Sequence, residues 1–199
     1  MVASAPFRLT DVSDPVPVQI VRARRDDPRL ARTLVEVDLH TFSEPTFSDF
    51  TATAFQHFGG IFLLLAGDDV IGTCACMRSW DAPDQALLLS MGILPGFRGR
   101  GLGQAFVRGV MALLHDDGFS SVALLVGASN HRAIRVYQDV GFEIDHAHQG
   151  HGVLRMRAAL ASSVQDDPPA LDLDTSVVPK GAAARASASG FEGAPALTP

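Results

Sequence analysis

The stretch Gly96–Phe106, GFRGRGLGQAF, sets Gly96, Gly99, Gly101 and Gly103 among Arg98 and Arg100 and then runs into a helical pattern. Glycine lets a backbone turn left-handed and lets a large group approach it. The first turn of a helix also carries N–H donors without partners inside the helix. With guanidinium groups beside it, such a turn can hold an anion. The chain has 16 Lys and Arg against 22 Asp and Glu, a formal net charge of −6. That balance gives no general attraction for nucleic acid or a membrane surface, so a small anionic ligand is expected. Two phosphate patterns fail here. G-x-G-x-x-G fails at Gln104 counted from Gly99 and at Phe106 counted from Gly101, and Leu102 and Gly103 stand where a P-loop needs Lys and Ser or Thr. A strand-to-helix loop whose glycines only ease the turn is the simplest alternative.

Few other residues offer chemistry by type and spacing. Cys74 and Cys76 are separated by one residue. On a strand they share a face, and a disulfide between them would be strained, so they read as small buried residues in a reducing compartment. His146, His148 and His151 lie close together. No Cys or carboxylate completes a zinc set there, and an exposed loop without a metal is expected.

The elements that must position the glycine turn follow from periodicity. Val18–Arg24 alternates as a strand, and Pro28 opens a helix behind Asp26 or Asp27. A second helical region covers 43–58, with Pro45 near its start and Gly59–Gly60 at its end. Residues 61–80 read as a hairpin turning at Gly67–Asp69. Gln85–Leu94 is apolar nearly throughout and is expected to be central and covered on both faces. Leu102, Phe106, Val110, Leu113 and Leu114 recur at helical spacing until Gly118. SVALLVGA reads as another buried strand, and a helix runs from Asn130 as N-cap to Gly141. FEID and GVLRMRAAL close the pattern. The expectation is one α/β domain with a mixed sheet over 17–160, behind a loose segment 1–16 and before a disordered tail 161–199 rich in Ala, Pro, Ser, Gly and Asp. No apolar run resembles a signal peptide or approaches the ~20 residues of a membrane span, so a cytoplasmic protein with no membrane partner is expected.

The R-x-x-G-x-G of Arg98, Gly101 and Gly103, directly after Gly92–Pro95, resembles the strand-to-helix signature of the GNAT superfamily of acyl-CoA N-acyltransferases. A second block, NHRAIRVYQDVGF, resembles that family's N-x-x-A-x-x-x-Y-x-x-x-G-F at Asn130, Ala133, Tyr137, Gly141 and Phe142. The two blocks lie about 30 residues apart, room for the one helix and one strand that the fold requires.

The resemblance implies the GNAT fold, acetyl-CoA or a close acyl-CoA as cosubstrate, no metal, and direct attack by a primary amine of a small molecule or a peptide. It implies that Arg98, Gly99, Arg100, Gly101, Leu102 and Gly103 bind the pyrophosphate. Met91, Gly92 and Ile93 would hold the acyl group and pantetheine, with an oxyanion-binding N–H near Gly92 or Ile93. Asn130 would both cap its helix and contact the coenzyme A arm, and Tyr137 would protonate the departing thiolate. The chain departs from relatives that carry a Glu in the fourth strand: Gln85–Leu94 has no carboxylate, and Ser90 is a poor base. Glu44, Asp49 or His57 could supply one, without a ranking among them; without one, acceptors of lower pKa are favoured. An alternative is a non-catalytic acyl-CoA sensor or interaction module on the same fold, which the missing carboxylate and long tail favour and Tyr137 disfavours. Nucleic-acid binding is disfavoured by charge and by the lack of clustered aromatics.

Overall fold

Apolar alternation places most strands where periodicity puts them, and the glycines end the helices. The computed structural model describes residues 5–7, 18–145 and 152–160; the expected tail and the three clustered histidines lie outside them. The elements in chain order are β1 (Ala5–Phe7), β2 (Val18–Arg22), α1 (Leu30–Thr41), α2 (Asp49–Phe58), β3 (Gly60–Ala66), β4 (Asp69–Arg78), β5 (Gln85–Ile93), α3 (Leu102–Asp116), β6 (Ser121–Gly127), α4 (His131–Asp139), β7 (Glu143–Ile144) and β8 (Val153–Ala159). A 3-10 turn over Pro95–Phe97 links β5 to the glycine turn.

The strands form one mixed α/β sheet in the order β1-β2-β3-β4-β5-β6-β8-β7, and β5–β6 is its parallel pair. A parallel pair needs a crossover, here α3. Within the segment expected to be loose, Ala5–Phe7 pairs with Ile20–Val18 of β2. Helix α1 starts after Pro28: Arg29 is its N-cap, and Asp27 Oδ1 accepts the Arg29 N–H at 2.9 Å. Helix α2 begins after a capping box in which the Ser48 and Thr51 side chains each accept the other's N–H.

Two layers of helix cover the sheet. On one face α3 and α4 bury the main core, with Phe62, Leu64, Phe106, Val110, Val122 and Met156 at its centre. On the other, α1 and α2 pack Leu30, Leu34, Phe47 and Ala52 against Ile61 of β3 and Ala75 of β4. β6 lies past the edge of that second layer, which corrects two expectations. Leu89 of β5 is 46% exposed and Leu125 of β6 is 68% exposed, so neither strand is buried on both faces. Cys74 and Cys76 are buried free thiols, their sulfurs 3.7 Å apart.

Candidate active site

The site is built around a parting of two strands. β5 and β6 pair only from Gln85↔Ser121 to Leu88↔Leu124. Past that point β5 continues on β4 to Ile93, and β6 continues on β8 to Gly127. A bulge marks the divergence: Cys76 faces Leu88 and Ala75 faces Ser90, so Leu89 has no partner on β4. Leu94 N–H donates to Ile71 O at 2.9 Å. Backbone groups of an antiparallel strand alternate between its two edges. Gly92 therefore directs its N–H and C=O to β4, whereas Met91 and Ile93 direct theirs into the gap. Of Gly92 and Ile93, the two positions considered from sequence, Ile93 is the one that turns its N–H away from β4, and Met91 does the same.

The glycine turn stands at the end of the gap. Gly99 and Gly101 have φ of +82° and +75°, the left-handed region that side chains resist, and Gly101 is the N-cap of α3. Leu102 buries its side chain and fixes the helix start, and Gly103 lies beside Val136 of α4, whose Cγ1 would be 3.7 Å from a Cβ there. Ala105 N–H reaches Gly101 O at 3.3 Å, but none of the backbone N–H groups from Gly99 to Gln104 has an acceptor among the described residues. This is a nest of donors at the positive end of a helix, a fit for a diphosphate. The half-buried Arg100 makes no ion pair or side-chain hydrogen bond among the described residues, and its charge is available to such an anion. Arg98 is placed differently. Its Nε donates to Ile93 O at 2.8 Å and its Nη2 to Thr41 O at 2.6 Å, so its guanidinium joins β5 to α1.

Helix α4 carries the second block. Asn130 Oδ1 accepts the Ala133 N–H at 3.1 Å, confirming Asn130 as the cap, and Gly141 ends the helix at φ +97°. Gln104 and Arg108 of α3 donate to the Asp139 carboxylate and carbonyl, at 2.7 and 3.0 Å, which locks α4 onto the helix that follows the glycine turn. Tyr137 packs against the core that holds Ile93, Leu124 and Val126, its ring 5.5 Å from that of Phe142. Burial, with the Cys74 and Cys76 thiols adding to it, pushes the Tyr137 pKa well above its ordinary value. Its hydroxyl, protonated at neutral pH like any tyrosine's, keeps its proton further into the alkaline range, and no group among the described residues hydrogen-bonds to it. Burial likewise pushes the Cys74 thiol up, so it is not a nucleophile at neutral pH.

On the opposite face α1 closes over the end of β5. A Cβ at Gly92 would lie 2.3 Å from Thr41 Cγ2 and 3.2 Å from the Phe42 ring, so only glycine admits that approach. Asp38, 1% exposed, is a site residue that sequence reasoning passed over. Its Oδ2 accepts the N–H groups of Thr46 and Phe47 and shapes the 42–48 segment. Its Oδ1 and the Thr41 Oγ1, one helical turn on, are buried without hydrogen-bond partners among the described residues. The available signal was a carboxylate in line with Leu30, Leu34 and Val37 on the apolar stripe of α1. Thr73 and Ser90 are buried on the sheet beneath this layer. Glu44, Asp49 and His57 are all exposed. No group of residues suited to a metal occurs among the described residues, and no helix there is long and apolar enough to cross a membrane.

Comparison with known proteins bears on this arrangement. A sequence model of the Acetyltransferase (GNAT) family matches residues 23–142. The rat N-acetyltransferase family 8 member 2 is 28% identical over 99 residues, 48% of this chain and 44% of its own. The chain thus spans about half the length of such relatives. The GNAT domain of S. lividans PAT superposes with a TM-score of 0.65 at 20% identity, covering 79% of this chain and 97% of that one. The PaiA N-acetyltransferase of Thermoplasma acidophilum, solved in complex with coenzyme A, gives a TM-score of 0.55 at 14% identity over 71% and 98%. These solved structures share the fold. With a family match that covers both signature blocks and the strands that part between them, the chain belongs to the GNAT family of acetyltransferases.

Proposed function

We propose that this protein transfers an acetyl group from acetyl-CoA to a primary amine by direct attack. The observation that carries the reading is the unclaimed row of N–H groups from Gly99 to Gln104, set at the mouth of the β5–β6 gap. Gly99, Arg100, Gly101, Leu102 and Gly103 would hold the pyrophosphate, with Arg98 framing the turn. Met91 and Ile93 would hydrogen-bond the pantetheine arm and the thioester carbonyl through the backbone groups they turn into the gap. The Asn130 amide, at the end of β6, would contact the same arm.

The acyl donor brings an activated thioester that a neutral amine attacks without a covalent enzyme intermediate. The Ile93 N–H stabilises the oxyanion as the C–N bond forms. Tyr137, protonated at neutral pH, gives its proton to the thiolate as the C–S bond breaks and regains one from solvent. The ammonium proton of the tetrahedral intermediate leaves to water, which gives the neutral amide as product. A lysine amine with pKa ~10.4 is neutral about once in 2,500 molecules at pH 7, whereas an α-amine near ~8 is neutral about one time in ten. With no carboxylate on β5, an α-amine or another amine of low pKa is the favoured acceptor. A cytoplasmic location goes with this reading.

Calorimetric titration with acetyl-CoA tests it, beside Gly101→Trp as a folded control. Binding by the wild type and none by Gly101→Trp supports the turn as the donor site. Thiol release from acetyl-CoA is then measured with alaninamide and with Nα-acetyl-lysinamide. Release with alaninamide, reduced in Tyr137→Phe, supports transfer. Binding with no release across a wider amine pool favours a non-catalytic acyl-CoA sensor instead. No binding by the folded wild type at millimolar acetyl-CoA removes both.

A further inference from the structure

We infer that the Arg98 side chain is a positioning residue for the acceptor side of the site, coupling occupancy of the acyl-donor gap to the order of the 42–48 segment. The inference rests on the acyl-CoA reading above. It adds to the role the sequence pattern assigns to Arg98, since two of its five N–H donors, Nε and one on Nη2, already hold two carbonyls 2.8 and 2.6 Å away.

Those two carbonyls belong to different layers. Ile93 O lies at the end of β5 and shares a peptide edge with the Ile93 N–H, the donor directed into the gap. Thr41 O is one of the last carbonyls of α1, without an intrahelical donor and at the negative end of the helix dipole. A guanidinium is suited to both tasks. It presents donors in a rigid fork, and its charge complements a helix C-terminus. The contact spans 57 positions of sequence and is the polar link between the Gly96–Gly103 turn and the end of α1.

The segment that follows Thr41 is held at both ends. Arg98 fixes the Thr41 carbonyl, and the Asp38 carboxylate fixes Thr46 and Phe47 from within the helix. Between them Ser43, Glu44 and Pro45 are exposed, while Thr41 and Phe42 rest on Gly92. Any ligand that immobilises the Met91–Ile93 backbone therefore immobilises the acceptor of the Arg98 Nε bond, and through the same planar group its Nη2 bond to Thr41. A rigid connector between two sites makes their binding free energies interdependent. Arg100, which has no such commitments, is left as the phosphate-facing cation of the turn.

The experiment follows hydrogen exchange of peptides covering 42–48 with and without saturating acetyl-CoA, and acetyl-CoA affinity by calorimetry, in wild type, Arg98→Met, Arg98→Lys and Arg100→Met. The wild type should bind acetyl-CoA and show exchange in 42–48 slowed by about threefold or more on binding. Arg98→Met should keep its acetyl-CoA dissociation constant within about threefold of wild type but lose that slowing, because a CoA-dependent effect requires the connector and not merely the fold. Arg98→Lys keeps the charge of the turn but has no fork, so its protection should fall short of wild type with affinity retained. Arg100→Met should lose about tenfold in affinity, the value of one charge-assisted contact, and keep the protection at saturation. The inference is overturned if Arg98→Met or Arg98→Lys weakens acetyl-CoA as Arg100→Met does while protection of 42–48 at saturation survives. If the folded wild type does not bind acetyl-CoA, the acyl-CoA reading itself fails and takes the coupling with it, an outcome distinct from the first.

Discussion

Gly92 lies directly beneath Thr41: a methyl group at position 92 would stand 2.3 Å from Thr41 Cγ2 and 3.1 Å from its Cβ. The strand whose backbone faces the gap and the helix that closes the acceptor side therefore meet with only the Thr41 and Phe42 side chains between them. Gly92→Ala must displace the Thr41 side chain or the end of α1 that carries it. Overpacking of this kind costs about 1–3 kcal/mol. Urea unfolding should show a loss in that range, and the same substitution should raise the KM for the amine more than that for acetyl-CoA. Equal stability of Gly92→Ala and wild type would mean the α1 contact yields freely.

Tyr137→Phe should lower kcat by about 10- to 100-fold and leave acetyl-CoA affinity near wild type, since a thiolate leaves tolerably without an acid. The steady-state rates with alaninamide report this split. A kcat equal to wild type would leave Tyr137 as a packing residue.

The raised pKa of Tyr137 also makes a prediction about stability. An unfolded tyrosine ionises near pH ~10, whereas the buried one holds its proton above that. From about pH 10 upward the native state binds more protons than the unfolded state, so this group subtracts about 1.4 kcal/mol of stability per pH unit until it ionises in the fold. Below pH 10 it contributes no pH dependence. Because Tyr137 is the sole tyrosine of the chain, phenolate absorbance of the folded protein should appear well above pH 10, and that of the unfolded chain near pH ~10. The alkaline slope of urea-unfolding stability should be shallower in Tyr137→Phe.

Asp38→Ala would leave the Thr46 and Phe47 N–H groups without their acceptor. Losing two hydrogen bonds to a carboxylate should cost about 2–4 kcal/mol, and Asp38→Asn, which keeps one acceptor oxygen, should cost less. Hydrogen exchange at 46–48 should accelerate in both. Unaltered exchange there would show that the segment is held by Phe47 packing alone.

Leu125 is 68% exposed where β6 leaves β5, so Leu125→Ser should change stability by no more than about 0.5 kcal/mol. An effect on amine KM larger than this would place the acceptor along that open face. An unchanged KM would place it elsewhere.

The sequence alone determined the parts that local backbone chemistry dictates. The positive φ of Gly99 and Gly101, the Asn130 cap and the Gly141 stop follow from which residues tolerate those conformations, and they can be read in a window of a dozen residues. The alternation of β4 and the helical period of α3 likewise put buried cysteines and the turn on a single mixed sheet. Tertiary structure decided what depends on distant partners. Arg98 reads as one more cation of the turn until Thr41 arrives beside it, and nothing in the local pattern marks Asp38 as the acceptor of the Thr46 and Phe47 N–H groups until α1 carries it under the 42–48 segment. Leu89 and Leu125 read as core because apolar runs do not say where a helix layer stops. The gap itself comes from β5 and β6 choosing different neighbours after four paired positions, a choice made by the whole sheet through its twist and its bulge at Leu89.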